Sequence, residues 1–237
     1  MNKEIAVLIP AHNEEKAIGG LISELKKKFE TVIVVDDGSS DRTGILAREN
    51  GAIVLRHPVC KGKGEALKTG FRYVLEKGEG ISAILTMDGD GQHRIEDIEN
   101  FIRGYYRNKN ISIWVGKRKI KGTKMPFIRR LTNISMSLSI SFFSLQWIPD
   151  TQCGFRLIKK DVIKNIRLLT SHFETESELL IKAGWKMYRI GSVPISTIYS
   201  EEKSKINPTR DTLRFFGMLL IIFFPLLLKV KWKRRLL

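Results

Sequence analysis

The sequence predicts an α/β fold in which helices cover both faces of a mostly parallel β-sheet. In the first half of the 237-residue chain, short apolar segments alternate with segments whose apolar residues recur at helical spacing. That alternation is typical of sheets built from strand–helix–strand units. Acidic clusters also follow two of the predicted strands directly, at 36–37 and 88–90. Because ligands bind outside the carboxyl ends of the strands in such sheets, the clusters indicate a functional site there.

The first half predicts five strands and four helices. Apolar residues at 17, 18, 21, 22 and 25 share one face of the first helix. Ser40 or Asp41 is suited to cap the second helix, which Gly51 ends. The predicted elements are strand Ile5–Ile9, helix Glu14–Phe29, strand Val32–Val35, a helix to about Asn50, strand Ala52–Arg56, helix Lys63–Leu75, strand Ile84–Met87, helix Ile95–Tyr106 and strand Ile111–Val115.

The second half is less regular. The stretch Ile128–Trp147 is apolar and rich in hydroxyl groups, which predicts a helix that packs on the sheet or touches a membrane. We expect the polar loop Ser200–Arg210 to be mobile without a ligand. The other predicted elements are strand Cys153–Ile158, helix Glu174–Ala183 and strand Met187–Pro194. Four aromatic residues are expected mainly in the core, although some can face lipid: Phe142, Phe143, Trp147 and Phe155.

Composition narrows the classes of protein that this chain can be. It is 43% hydrophobic and 28% charged, so it can bury a core and is not disordered. The net charge of +16 favours an anionic partner, either a nucleic acid or a membrane surface. We expect no nucleic-acid partner, because no nucleic-acid-binding motif accompanies the basic residues. Cys60 and Cys153 lack metal-ligand spacing, which favours a reducing, cytosolic setting.

The C-terminal segment predicts membrane association. Residues 215–228 carry no charge, and five Lys or Arg residues with a Trp follow within 229–235. This pattern is typical of a membrane interface, although the apolar run is shorter than the roughly 20 residues that span a bilayer. We therefore predict a catalytic domain over 1–210 and a membrane-associating segment over 211–237. The alternative is a core helix followed by a solvated basic tail.

The acidic cluster at 88–90 suits a divalent cation. Asp88 and Asp90 are one residue apart after a strand, so both carboxylates can reach one ion, and the adjacent glycines let a diphosphate approach. Hard cations such as Mg²⁺ and Mn²⁺ bind carboxylates together with substrate phosphates. The alternative is a turn with a chance pair of acids.

Two further segments suit a nucleotide. At Asp36-Asp37 a carboxylate can accept hydrogen bonds from a base or a ribose, and the alternative is a capped turn. The segment Lys61–Gly64 precedes a helix, whose N-terminus can assist an anion, although the P-loop spacing is absent. The alternative is a capped helix with two exposed lysines.

Six motifs are notable for their order and spacing along the chain: Ile9–Glu14, Val35–Ser39, Lys61–Gly64, Met87–His93, Gly116–Arg118 and Asp150–Arg156. Together they resemble glycosyltransferase family 2, and most closely its polyprenyl-phosphate (dolichol-phosphate mannose synthase-like) members. The resemblance spans roughly residues 4 to 210. It implies a GT-A fold, a nucleotide-diphosphate sugar donor (GDP-mannose or UDP-glucose type) and Mg²⁺ or Mn²⁺. It also implies hexose transfer to a polyprenyl phosphate at the cytoplasmic face of a membrane.

The resemblance also implies roles for single residues. The metal ligands would be Asp88, Asp90 and Gln92, and the catalytic residues Asp90, Asp150, Arg118 and Arg130, the two arginines holding the acceptor phosphate. The substrate-binding residues would be Pro10, Asn13, Glu14, Asp36, Asp37, Lys63, Asp88, Glu176, Lys203 and Lys205. Lys203 and Lys205 would belong to a mobile basic loop that closes over the phosphates. Glu176 would belong, with Glu178, to an acidic helix near the sugar.

Chemistry separates the possible acceptors. A lipid monophosphate is already an anionic nucleophile, so it needs charge neutralisation more than a general base, and an in-line attack inverts the anomeric carbon. If the acceptor is a hydroxyl of another lipid or a saccharide, Asp150 is the candidate base. A non-catalytic membrane or nucleic-acid-binding protein is the remote alternative, and a membrane protein is a further candidate partner.

Overall fold

The computed structural model describes residues 1–118, 127–196 and 213–223, with the backbone alone for 127–131. The chain divides into two compact units, Met1–Ser200 and Glu201–Leu237. The strands of the first unit are β1 (Ile5–Ala11), β2 (Val32–Asp37), β3 (Ile53–His57), β4 (Ala83–Thr86), β5 (Ile111–Arg118), β6 (Arg156–Lys159) and β7 (Arg189–Ile195). Its helices are α1 (Glu15–Lys26), α2 (Thr43–Glu49), α3 (Lys63–Lys77), α4 (Ile98–Arg107), α5 (Phe127–Ser144), α6 (Lys160–Asn165) and α7 (Glu174–Trp185), with a 3₁₀ turn at Ile95–Asp97.

The seven strands form one mostly parallel sheet, which confirms the predicted α/β class. Their order is β3-β2-β1-β4-β6-β5-β7. Only β6 of these strands runs antiparallel to its neighbours, β4 and β5. The carboxyl ends of β1, β2, β4 and β5 therefore meet at one edge of the sheet, and β6 begins at that edge.

Burial of the central strands shows that both faces of the sheet are covered. Every residue of β2 is buried, and so is every residue of β1 except Pro10. Since successive side chains point to opposite faces, continuous burial requires packed layers on both sides. On one side α3 approaches closely: a Cβ on Gly70 would come within 2.1 Å of Leu8 Cδ1.

Several predicted boundaries differ from the observed ones. The helix predicted to reach Trp147 ends at Ser144, where Leu145 takes a left-handed backbone conformation with φ 58°. The strand predicted from Cys153 begins at Arg156, and α6 was not predicted. Phe155 is buried as expected, but Phe142 and Trp147 are exposed, so the expectation that these aromatics lie mainly in the core is wrong for them.

The second unit is described at residues 213–223, which are helical. Within the parts of the chain that the structure describes, no helix combines the length and apolarity needed to cross a membrane. The predicted mobile loop Ser200–Arg210 and residues 224–237 lie outside the described residues.

Candidate active site

The carboxyl edge of the sheet gathers most of the predicted site residues. The segment after β1 carries Asn13 and Glu14, and β2 ends on Asp36-Asp37. Asp88 follows β4, and β5 ends on Arg118. Pro10 lies within β1, opposite Val35 of β2.

Asn13 joins the segments that follow β1 and β2. Its backbone is left-handed, with φ 55°. Its N–H donates to Ser39 Oγ (3.0 Å), and its Oδ1 accepts from the N–H of Ser40 (2.9 Å). Next to it, the N–H of Glu14 donates to Thr43 Oγ1 (2.8 Å). These bonds give the predicted nucleoside-binding segment a defined shape before a ligand binds.

Asp37 organises the segment before α3. One oxygen bonds His57 Nδ1 (2.7 Å) and accepts from the N–H of Lys61 (2.9 Å), and the other accepts from the N–H of Gly62 (2.8 Å) and from Cys60 Sγ (3.3 Å). Burial alone would raise the pKa of Asp37, but these donors hold it below its ordinary value. The structure therefore places Asp37 in a protein network, while its predicted nucleoside contact stays a prediction.

Asp36 differs from its neighbour. It is fully buried, and its Oδ1 accepts from the N–H of Ser39 (2.9 Å). Its Oδ2 has no hydrogen-bond partner and lies 3.4 Å from Arg56 Nη1. A Cβ on Gly44 would come within 2.4 Å of the same oxygen, so the glycine is what lets this carboxylate pack against α2. Of the two adjacent carboxylates, Asp36 retains more acceptor capacity.

Lys63 bridges two carboxylates on opposite sides of the site. Its ammonium lies 2.7 Å from Asp88 Oδ1 and 2.8 Å from Glu176 Oε2. Burial alone would lower the pKa of Lys63, but these two charges raise it above its ordinary value. Burial would likewise raise the pKa of Asp88, and Lys63 holds it at about 2. Lys63 therefore lies between two carboxylates, and the alternative of two exposed lysines is wrong for this residue.

Asp90 lies in the same electrostatic environment with less compensation. Burial and then the Asp88 charge raise its pKa, although the N–H of Gln92 donates to its Oδ1 (3.0 Å). His93 accepts from the N–H of Asp88 through Nδ1 (3.3 Å) and stacks on Phe155 at 4.8 Å. These contacts give His93 a structural position beside the acidic cluster.

The acidic cluster fits a divalent cation in its donor chemistry. Among the described residues, no group of three or more His, Cys, Asp and Glu side chains is placed to hold a metal ion. Two hard carboxylates at one strand end, close enough for one charge to raise the pKa of the other, match a cation that takes its remaining ligands from phosphates and water. Asp88 and Asp90 therefore fit the predicted site.

Arg118 and Asp150 form a two-pronged ion pair. Arg118 donates from Nε to Asp150 Oδ2 (2.7 Å) and from Nη2 to Oδ1 (2.8 Å), and its backbone N–H also reaches Oδ2 (3.2 Å). Asp150 is buried. Bidentate pairs fix a guanidinium in one plane. The pair joins the end of β5 to the segment before β6.

Arg156 ends the motif Asp150–Arg156, but it was not predicted to be a site residue. It is 1% exposed and donates to the carbonyls of Cys153 (2.9 Å), Thr151 (2.8 Å) and Glu176 (2.7 Å). It thus binds the Asp150–Phe155 segment to the first turn of α7. The available sequence signal was a single charged residue within the predicted strand Cys153–Ile158, which is otherwise uncharged.

Glu178 is held by donors of the protein itself. It is fully buried and accepts from the N–H groups of Leu169 (2.9 Å) and Thr170 (2.9 Å), from Thr170 Oγ1 and from Lys182. These donors occupy both of its oxygens, and its predicted place near the sugar stays a prediction. The predicted Lys203 and Lys205 lie outside the described residues, and Arg130 lies in α5 where the structure describes backbone alone.

Comparisons with known proteins agree with this geometry. The model described as Glycosyl transferase family 2 matches residues 6–167. The chain is 33% identical over 224 residues to the UDP-N-acetylglucosamine–dolichyl-phosphate N-acetylglucosaminyltransferase of Methanococcus voltae, covering 84% of this chain and 88% of that protein. It is 28% identical over 217 residues to a dolichyl-phosphate beta-glucosyltransferase of Trichomonas vaginalis, covering 81% and 64%.

A solved structure shares the fold. Glucosyl-3-phosphoglycerate synthase from Mycobacterium tuberculosis matches with a TM-score of 0.73 at 19% identity, covering 91% of this chain and 77% of that chain. At this identity the likeness shows the fold alone, and with the family match it confirms the predicted GT-A architecture.

Proposed function

The chain belongs to glycosyl transferase family 2 and is a glycosyltransferase, and from this premise we propose that it transfers a hexose from a nucleotide-diphosphate sugar to a polyprenyl phosphate. The transfer inverts the anomeric carbon and takes place at the cytoplasmic face of a membrane. In this proposal residues 1–210 form the catalytic domain and residues 211–237 the membrane-associating segment.

The Arg118–Asp150 pair is the observation that favours a phosphate acceptor over a hydroxyl acceptor. A hydroxyl acceptor loses a proton during attack and benefits from a general base. Asp150, the candidate base, accepts two hydrogen bonds from the Arg118 side chain, one on each oxygen. Glu176 is likewise held by Lys63 at 2.8 Å. Carboxylate oxygens that already accept hydrogen bonds from a cation are less free to take a proton from a hydroxyl, whereas an acceptor that is already an anion needs no base.

The residues of the chain then divide the work. Asp36 and the Asn13 segment bind the nucleoside, and Asp88, Asp90 and Gln92 hold the cation. A bound Mg²⁺ or Mn²⁺ would offset the charge of the departing diphosphate. Arg118, oriented by Asp150, offers donors suited to phosphate oxygens. Arg130, Lys203 and Lys205 are further predicted phosphate contacts.

The relatives support some parts of this proposal more than others. The names of both curated relatives include dolichyl phosphate, and they differ in the sugar, N-acetylglucosamine in one and glucose in the other. The solved synthase was crystallised with Mn²⁺ and uridine diphosphate. The acceptor class is therefore better supported than the identity of the sugar.

A direct assay tests the acceptor. The full chain is incubated with Mn²⁺ or Mg²⁺, a panel of labelled nucleotide sugars, and either a polyprenyl phosphate or the polyprenol of equal length. We expect label in an acid-labile lipid only with the phosphate, and none in chelator. Transfer to the polyprenol or to a saccharide would contradict the proposal.

Asp150→Asn is the matched variant for this assay. If Asp150 positions Arg118, the substitution raises the KM for polyprenyl phosphate and leaves part of kcat. If Asp150 is a general base, the substitution abolishes transfer at every acceptor concentration, and that result would favour the hydroxyl-acceptor alternative.

A further inference from the structure

Four large apolar side chains are exposed at the C-terminal end of α5 and in the adjoining turn after α7. Phe142, Leu145, Trp147 and Met187 are 74%, 79%, 69% and 85% exposed. We call these four residues the apolar tip. Exposed clusters of large apolar residues mark interaction surfaces more often than single exposed residues do.

Hydrogen bonds hold the apolar tip in a defined shape. The Gln146 side chain donates to the carbonyl of Tyr188 (2.8 Å) and accepts from the N–H of Ile190 (2.9 Å). A Cβ on Gly184 would lie 2.0 Å from the Ser144 carbonyl oxygen, so α7 and the end of α5 pack backbone to backbone. The segment after α5 and the segment after α7, which carry the tip, are thus joined to each other by these contacts.

The surroundings of the tip favour a lipid surface as its occupant. Residues 131–149 contain no ionisable side chain, and exposed Ile134 and Leu138 continue the apolar surface along α5. Beside Met187, Lys186 and Arg189 are exposed. Aromatic and aliphatic side chains rimmed by basic residues are the pattern of surfaces that enter the headgroup region of anionic membranes.

The tip also lies close to the proposed acceptor site. Trp147 precedes Asp150 by three residues, and three residues span at most about 11 Å. Asp150 in turn holds the Arg118 guanidinium. A surface that rests on lipid through Trp147 would therefore bring Arg118 within reach of a phosphate at the level of the headgroups.

We propose that the apolar tip is a membrane-docking site within the catalytic unit, separate from the C-terminal segment, and that its ligand is an anionic bilayer surface. Docking itself depends on the tip and its basic rim. Its use in presenting a lipid phosphate to Arg118 rests on the proposed function.

An environment-sensitive dye at the tip tests this directly in the full chain. In a Cys60→Ser background, Leu145→Cys is labelled with NBD, and Ile45→Cys on α2 is labelled as the matched control, since Cys153 is buried. Vesicles of phosphatidylglycerol and phosphatidylcholine are then added. We expect a blue shift and a rise of emission at 145 and neither at 45. An unchanged dye at 145, with or without vesicle binding by the chain, overturns the proposal.

Paired substitutions give a second measurement. We expect Phe142→Ser with Trp147→Ser to lower the partition of the full chain onto these vesicles about tenfold. The control pair, Ile45→Ser with Leu169→Ser, removes apolar side chains that are about half exposed elsewhere and should leave partition unchanged. Equal partition of both pairs would overturn the proposal.

The outcome is separable from that of the proposed function. Transfer to a short, water-soluble polyprenyl phosphate without vesicles should be the same in both double variants. If that transfer fails in the unsubstituted chain while the dye at 145 responds, the acceptor proposal falls and the docking site stands.

Discussion

Asp37→Asn is expected to destabilise the protein more than it weakens nucleotide binding. The carboxylate is 3% exposed and accepts from the N–H groups of Lys61 and Gly62 at 2.9 and 2.8 Å. Asparagine keeps the shape but turns one oxygen into an NH₂ group, which faces a backbone donor on either side. One of these part-buried N–H groups loses its acceptor, at about 1–3 kcal/mol, and the other bond loses its charge assistance, at about 1 kcal/mol.

The expected loss is therefore about 2–4 kcal/mol of unfolding free energy. With a urea m-value of about 3 kcal/mol per M, the unfolding midpoint falls by about 1 M. Asp36→Asn is the matched control, because Asp36 Oδ2 has no hydrogen-bond partner and its Arg56 contact is half exposed. That variant should change stability by less than about 1 kcal/mol and instead weaken the binding of UDP or GDP in calorimetry. An unchanged midpoint for Asp37→Asn, or a loss of nucleotide binding at unchanged stability, would refute the reasoning.

The pH dependence of the same variant follows from the sign of the shift. Burial alone would raise the pKa of Asp37, but the bonds from Lys61, His57 and Gly62 hold it below its ordinary value of 3.8. A carboxyl whose pKa is lowered on folding stabilises the protein above its unfolded pKa and loses that contribution as pH falls through the folded pKa. The midpoint difference between Asp37→Asn and the unsubstituted chain should thus be full at neutral pH and shrink below about pH 3.8.

Three further results are expected. Asp88→Asn and Asp90→Asn should each abolish transfer while retaining cooperative unfolding in urea, since the leaving diphosphate needs the cation that they hold; full activity of either would remove the metal assignment. Arg118→Ala should raise the KM for polyprenyl phosphate at least tenfold and leave nucleotide affinity within about twofold in calorimetry; an equal loss of both would place Arg118 on the donor. Deletion of 212–237 should reduce flotation with anionic liposomes and preserve nucleotide binding, whereas an unfolded product would favour the core-helix alternative.

The fold was predictable because its signals are local. Buried strands read as apolar runs, and amphipathic segments between them read as helices, so the alternation identified the sheet. The topology then places strand ends at one edge, which is why Asp36 and Asp88 were identified from sequence. The partners of each carboxylate could not be predicted in this way, because they come from distant parts of the sequence. Asp37 is occupied by donors 20 to 25 residues away, and Arg118 pairs with Asp150 across 32 residues.

The orientation of α5 could not be predicted for a different reason. From Ile134 to Phe142 its apolar residues alternate with serines and so spread around the helix, which means that hydrophobic spacing does not identify one buried face. The structure buries a row of serines instead, because their hydroxyls find partners: Ser137 with Thr151 at 3.1 Å, and Ser141 with the carbonyl of Ile148 at 3.3 Å. Satisfied hydroxyls cost little to bury. Phe142, on another face, is left in solvent.

Charge balance at the acidic cluster suits one divalent cation. Lys63 already compensates Asp88 and Glu176, whereas burial and the Asp88 charge raise the pKa of Asp90. Asp90 therefore carries the less compensated charge, and a cation gains more from it than from Asp88, whose oxygen Lys63 occupies. One lysine among these three carboxylates leaves two negative charges, which a divalent ion neutralises. A diphosphate that arrives with the ion brings further negative charge, and Lys63 can then donate to the phosphate while it keeps Glu176.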